Sequence, residues 1–423
     1  MNSIKINENI TVNLIPMTKL KTVSVGVYIH RPLRIKEASL NALLPMVLKS
    51  GSRTLQTRED IAKYLDNLYG ASMGATVIKL GEDQVMYFDA ETISDKYTPD
   101  GEKPFGDLLR MLMSIIFDPK TENGAFDKEI VEHEKKDAID RIDAFVNDKR
   151  QYASIRCQQE TARGTNYAIS RIGNKEEIQE ITAKSLYDYY KSIITSSVID
   201  IYVCGDVDLG DAEDVVRSYT ECMAFKKAEI PKTSIIERKG TQINNVEEKM
   251  DVAQGKLAIG FLTNIAANDK DKYALSVFNS VFGAGTHSKL FNNVREKLSL
   301  AYYASSAIEK YKGMLIVNAG IEFENFQKAY DEVLIQLDEI RKGNVSEHEF
   351  NSSIITIVNA YNSYYDDQRA LSTFYLSGSV AESDETLEEY IENIKKVTVE
   401  DVVRIANKIQ LDTVYFLKGK EKK

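Results

Sequence analysis

Histidine, cysteine and tryptophan are scarce in this chain, and each scarcity excludes a class of chemistry. Of 423 residues only four are histidine: His30, His133, His287 and His348. Their closest spacing is 61 residues (348 − 287). A local zinc site of the kind built from two histidines four apart on one helical face, with a carboxylate between them as general base, is therefore impossible here. Three widely separated cysteines (Cys157, Cys204, Cys222) form neither a disulfide framework nor a Cys-x-x-Cys site. No Ser-His-Asp or Cys-His arrangement follows from spacing. Apolar runs such as Leu40 to Leu48 and Met111 to Phe117 fall well short of the ~20 residues that cross a bilayer. The first residues (Met1 to Asn9) lack a charged segment followed by an apolar one. Basic blocks are absent too: 54 Lys plus Arg against 64 Asp plus Glu leaves a net charge of −10, which disfavours nucleic acid as a partner. These absences give the expectation of a reduced, cytoplasmic protein with no membrane and no nucleic-acid partner.

What is present is a repeated order of elements. Val23, Val25, Val27 and Ile29 alternate with polar neighbours, as in a half-buried strand. Leu40, Leu43, Leu44, Val47 and Leu48 then take helical spacing up to Gly51. A second helix (Thr57 as its cap, then Ile61, Leu65, Leu68) leads into strands at 71–80 and 84–90. Long helices follow to Lys191, and a strand spans 198–204. The polar stretch 226–248, with Pro231 and Gly240, reads as a linker. Beyond it the order recurs: a strand at 252–261, helices at 273–282 and 288–298, strands at 301–308 and 314–323, long helices, and a last strand at 413–417. A period near 200 residues is far beyond any solenoid repeat. The expected fold class is α+β: two duplicated α/β domains of about 200 residues, each a mixed or antiparallel sheet packed with helices. The expected boundaries are 1–225, a linker at 226–248, and 249–423.

Two local features invite functional readings. Glu129, Glu132 and His133 share one side of a helix, although a charge-rich helix is ordinarily a solvated face. The turn Gly283-Ala284-Gly285-Thr286-His287 opens a helix and offers free N–H groups to an anion, although such turns more often serve packing alone.

The run Phe291-Asn-Asn-Val-Arg-Glu-Lys-Leu-Ser-Leu-Ala-Tyr-Tyr303 closely resembles the second-domain signature of the pitrilysin/insulinase family of zinc metallopeptidases, with Ser299 in place of the usual glycine. Gly205-Asp206-Val207 resembles the strand that closes that family's first domain, and Glu132-His133-Glu134-Lys135 its acid-bearing helix. The resemblance spans essentially the whole chain. It implies that the family's His-x-x-Glu-His motif falls where this chain has Ala42, Pro45 and Met46, and that its third zinc ligand falls on Glu132, 86 residues after Met46. One ligand of three cannot hold a tetrahedral zinc, and a proline at the general-base position also removes a helical N–H. No catalytic residue, metal or cofactor is therefore expected in this chain, and it should be inactive alone.

The pattern is similar to the motif-less member of a two-gene bacterial pair, in which an active zinc subunit and an inactive one enclose a peptide. That likeness implies a zinc-motif homologue as heterodimer partner, a peptide substrate, and zinc in the partner. Arg295 and Tyr302, seven apart, would then bind substrate, the Arg through its fixed fork of donors and the Tyr through its hydroxyl. The competing reading of the same two residues is a surface ion pair and a strand core position. Two other functions stand beside the first: a peptide-binding or scaffold homodimer with no proteolytic role, and an independent enzyme using other residues.

Overall fold

The computed structural model describes residues 1–238, 240 and 242–420. The first part of the chain forms β1 (Asn2–Lys5), β2 (Ile10–Pro16), β3 (Thr22–Pro32), β4 (Ser72–Leu80) and β5 (Asp83–Ile93), a two-residue hairpin of β6 (Thr121–Glu122) and β7 (Ala125–Phe126), and β8 (Val198–Gly205). Between them lie α1 (Ile35–Leu48), α2 (Arg58–Asn67), α3 (Pro104–Phe117), α4 (Lys128–Asn147), α5 (Lys149–Thr161), α6 (Lys175–Glu180) and α7 (Ala183–Ile193), with α8 (Leu209–Thr220) after β8. The second part contributes β9 (Asn244–Met250), β10 (Gly255–Leu262), β11 (Ala301–Glu309), β12 (Met314–Ile321) and β13 (Gln410–Gly419). Its helices are α9 (Lys272–Phe282), α10 (Phe326–Arg341), α11 (Glu347–Asn362), α12 (Gln368–Val380), α13 (Leu387–Lys395) and α14 (Val399–Ala406). No helix among the described residues is long and apolar enough to cross a membrane.

The repeat inferred from the sequence is visible in the strand order. One sheet runs β1-β2-β8-β3-β5-β4 and the other β9-β13-β10-β12-β11. In each, a parallel pair (β2 with β8, β9 with β13) is followed by antiparallel neighbours only. The fold is thus the expected α+β duplication, with one additional edge strand, β1, in the first copy.

The domain boundaries need correction. The chain folds as two compact units, one of residues 1–142, 169–232 and 364–380, the other of 143–168, 233–363 and 381–423. The main passage between them at 232/233 falls inside the expected linker, whose last residues (244–248) belong to strand β9 (Asn244–Met250). Each half also lends the other a segment: α5 belongs to the second unit and α12 to the first. The reason lies in the strands. β3 is buried from Val23 through His30, including the Ser24, Tyr28 and His30 positions that alternation would assign to solvent. A strand buried on both faces needs a cover on each. In the first unit α12 supplies one: Tyr202 and Ser379 share a hydroxyl hydrogen bond of 2.9 Å, Gln368 Nε2 donates to Thr22 O at 2.8 Å, and Arg369 pairs with Asp89 at 2.6 Å.

In the second unit α5 does the same for β10. Ala153 and Cys157 pack on Ala258, Ile316, Tyr415 and Leu417. At the C-terminal end of α5, Gly260 leaves room for Thr161; a Cβ there would lie 2.0 Å from Thr161 Oγ1. Helical periodicity shows that a helix has an apolar face. It does not say which sheet that face will cover, and so the exchange is invisible in the sequence.

Candidate functional site: the expected motif positions and the Arg/Tyr segment

The family's motif positions sit on α1, a helix capped only weakly and carrying Pro45 in its last turn. Pro45 and Met46 are buried and Ala42 is half-buried. None of the three offers a ligand that a zinc ion favours, which is imidazole, thiolate or carboxylate. The structure shows what stands there instead. Arg141 on α4 brings Nη1 to 3.4 Å from Met46 Sδ, and its Nε donates to Asp137 O at 3.2 Å. A permanently charged guanidinium repels a divalent cation, so the residues at this place do not fit zinc. Among the described residues no group of three or more His, Cys, Asp or Glu could hold a metal ion.

Glu132, the expected third-ligand position, is not brought to α1. Its side chain is about half exposed and pairs with Lys135 Nζ at 3.1 Å. Lys135 in turn donates to the carbonyls of Gln179 (3.0 Å) and Ile181 (2.8 Å) at the C-terminal end of α6. Glu132 thus helps to orient a structural lysine. The acid that α4 does turn towards α1 is Glu134, which is buried. It accepts from Ser50 Oγ at 3.3 Å and is ion-paired with Arg58, whose Nε donates to Ser50 Oγ at 3.1 Å. Ser50 Oγ also lies 3.1 Å from Met46 O, which ties the end of α1 to α2 and α4. A signal for this existed: Val131, Glu134, Lys135 and Ala138 are the buried positions of α4, spaced 3-1-3, and Glu132 lies off that stripe. His133 is exposed, 3.5 Å from Asp137, on the rim of an open cavity of about 300 Å³ that Ser50, Arg58, Lys120 and Glu129 also line.

The second unit carries the Arg/Tyr pair. Leu290–Lys297 is a π-helix, a wide coil that closes with Leu298 N donating to Asn293 O at 3.1 Å. Such coils are uncommon and recur at functional sites. Ser299 then takes φ +50°, the left-handed region where glycine is free of Cβ strain, which accounts for the glycine usual at this place. A bulge between Ala301 and Tyr303 presents Tyr302 outwards, 54% exposed. Its hydroxyl donates to Glu322, and that hydrogen bond and charge hold the phenol above its ordinary range. Arg295 lies over the Phe291 ring at 4.7 Å and 3.4 Å from Glu296, with 42% of its side chain exposed. Neither residue is core, and no hydrogen bond or ion pair joins the two among the described residues.

The glycine-rich turn before this segment is a packing device. A Cβ at Gly283 would meet Ser306 Oγ at 2.5 Å and Leu290 Cδ1 at 2.8 Å, and Ser306 N donates to Gly283 O. His287 Nε2 bonds Ser353 Oγ (2.9 Å) and Ser280 Oγ (3.2 Å), and burial and the neighbouring His348 hold its pKa down. It fastens α11 to α9.

Comparison with known proteins agrees with this picture. Residues 180–357 match the peptidase M16 inactive domain. A Bacillus subtilis (strain 168) protein, named a probable inactive metalloprotease, YmfF, is 37% identical over 412 residues, covering 97% of this chain and 96% of its own length. A second protein of the same strain, named an uncharacterized zinc protease, YmxG, is 22% identical over 79% of this chain and 77% of its own. Among solved structures, a conserved protein from Enterococcus faecalis V583 superposes with a TM-score of 0.91 at 29% identity, over 100% of this chain and 99% of that one. The peptidase M16 inactive domain from Pseudomonas fluorescens shares the fold, with a TM-score of 0.81 at 17% identity over 99% and 98% of the two chains. By the match to a relative 37% identical over 97% of this chain and to the family's inactive domain, the chain belongs to the M16 (pitrilysin/insulinase) family as an inactive metallopeptidase homologue.

Proposed function

We propose that this protein is the non-catalytic subunit of a heteromeric zinc peptidase, contributing peptide-binding residues and chamber wall to a partner that carries the zinc motif. The observation that carries the reading is an asymmetry. The expected motif positions are Ala42, Pro45 and Met46, with the Arg141 guanidinium against the Met46 sulfur, whereas the Arg295/Tyr302 segment has a π-helix, a left-handed turn and a bulge, with both side chains exposed. A chain released from all peptidase duties would have no reason to hold Ser299 in a strained conformation so that Tyr302 can be presented. The occurrence of one inactive and one zinc-protease relative in a single Bacillus subtilis strain supports a division of labour of this kind.

In this role Arg295 presents donors to a peptide carbonyl, and Tyr302 adds another near the scissile bond when its hydroxyl turns from Glu322 to the substrate. The test is zinc content and cleavage of a quenched peptide library by this protein alone, by the zinc-motif homologue from the same genome, and by their mixture. Turnover in the mixture alone, reduced at least tenfold by Arg295→Ala, is the expected result. Zinc and turnover in the isolated protein would overturn it. So would a mixture whose activity is indifferent to both Arg295→Ala and Tyr302→Phe.

A further inference from the structure

The start of the second unit's sheet carries two cations that no carboxylate neutralises. Tyr303, Gly320 and Lys256 face one another across three adjacent strands, β11, β12 and β10. Because Gly320 has no side chain, the Tyr303 ring lies across it; a Cβ there would be 2.4 Å from Tyr303 Cε1. The ring so placed comes within 5.9 Å of Lys256 Nζ, and the Arg150 guanidinium sits 4.1 Å from its centroid. Among the described residues neither Arg150 nor Lys256 forms an ion pair; Lys256 has only the Gln254 side-chain oxygen, at 3.5 Å.

The surroundings add positive potential, and Asp148, whose charge reaches the Tyr303 phenol, forms an ion pair with neither cation among the described residues. Arg150 lies in the first turn of α5, where the helix dipole is positive and where no acidic residue stands. The N-cap carboxylate, Asp148, accepts from Gln151 N at 3.0 Å, and Glu322 accepts from Tyr302. Burial and the charge on Arg150 hold the Lys256 ammonium below its ordinary pKa. Two like charges converging on one ring, at the positive end of a helix, form an arrangement that an anion would stabilise.

We propose that Arg150, Lys256 and Tyr303 form a binding site for a peptide carboxylate, with the guanidinium and ammonium pairing to its two oxygens and the ring forming the floor. The proposal rests on the peptide-handling role above and gives it a substrate class: extended peptides bearing either an acidic side chain or a free C-terminus. The site lies beside the bulge that presents Tyr302, so one peptide can engage both.

The test uses the full-length protein and one neutral peptide in three forms, labelled with a net-neutral dye and read by fluorescence anisotropy. One form ends in a free carboxylate, one ends in an amide, and one has an internal Glu and an amide end. The expected result is about tenfold tighter binding of one or both acidic forms, falling as salt rises and abolished by Arg150→Gln/Lys256→Gln, with the all-neutral form unaffected. The form that is preferred tells a C-terminal from a side-chain carboxylate. An acid preference that survives the double substitution, or neutral and acidic forms bound equally, overturns the proposal.

Arg295→Ala separates this idea from the broader one, since it should weaken all three forms alike. If no form binds, the peptide-handling reading fails at this step, and the site is tested with succinate at constant ionic strength. A rise in the thermal midpoint of the wild type that the double variant lacks upholds the anion site; equal response in both proteins refutes it.

Discussion

His30 is the most consequential titratable residue in the first unit, and the geometry around it fixes the sign of the protein's pH dependence. The ring is fully buried on β3, with Nδ1 2.5 Å from Asp83 Oδ2 and Nε2 3.3 Å from Asp200 Oδ2. Burial alone would push the imidazolium pKa down. The charges of Asp83 and Asp200 and the hydrogen bond to Asp83 outweigh it and raise the pKa from 6.5 to about 10. The folded state therefore binds the proton more tightly than the unfolded chain does. The stabilisation is fully present below pH 6.5 and is lost as pH rises towards about 10. At ~1.4 kcal/mol per unit this upward shift corresponds to a few kcal/mol, offset in part by the burial that pushes the Asp83 carboxyl up. An independent route gives the same scale: removing one partner of a buried ion pair costs ~3–5 kcal/mol. Urea denaturation from about pH 6 to pH 10 should therefore show wild-type stability falling steadily with pH. His30→Gln should lose several kcal/mol at the acid end of this window and little at the alkaline end, so that the slope disappears. Asp200→Asn, which keeps the closer Asp83 contact, should retain most of the slope. A wild-type curve that is flat or rises over this range, or a His30→Gln curve parallel to it, would refute the reasoning.

Two further predictions concern the elements that shape the second unit. Gly260→Ala should destabilise it by ~1–3 kcal/mol through the clash with Thr161 Oγ1, and Thr161→Ala should recover most of that loss, as a double-mutant cycle by chemical denaturation would read out. Ser299→Gly should raise stability by up to ~1 kcal/mol by relieving the left-handed strain, whereas Ser299→Val should cost ~1–3 kcal/mol in the same assay. Equal stability of all three residues at 299 would show that the turn is not held in that conformation in solution.

Much of the fold was legible because it is written in periodicity. The two strand-helix-helix-strand-strand series and the closing strands at 198–205 and 410–419 appear where alternation and helical spacing put them. The exchange of α5 and α12 was not legible, because Thr161 against Gly260 and Tyr202 against Ser379 are contacts between residues 99 and 177 apart (260 − 161 and 379 − 202), and nothing local to either residue encodes its partner. The loss of the zinc motif was readable from Ala42, Pro45 and Met46 by alignment alone. The groups that meet the end of α1 were not: the buried stripe of α4 brings Glu134 to Ser50, and Arg141, two turns further on, reaches the Met46 sulfur.

That last step explains why the metal position could be abandoned without loss of the fold around it. In a zinc site the ion itself joins the first helix to the acid-bearing one. Here the joint is made by protein groups: the Met46–Arg141 contact on one side, and on the other the Ser50 hydroxyl, bonded to Met46 O, Glu134 and Arg58 at once. Glu134 is only 3% exposed and would be a costly charge if unpaired, but Arg58 neutralises it and Ser50 completes its hydrogen bonding. α1, α2 and α4 are thus held together by packing and by a satisfied polar cluster. The residues at 42, 45 and 46 thus leave the first unit's sheet and its covering helices intact.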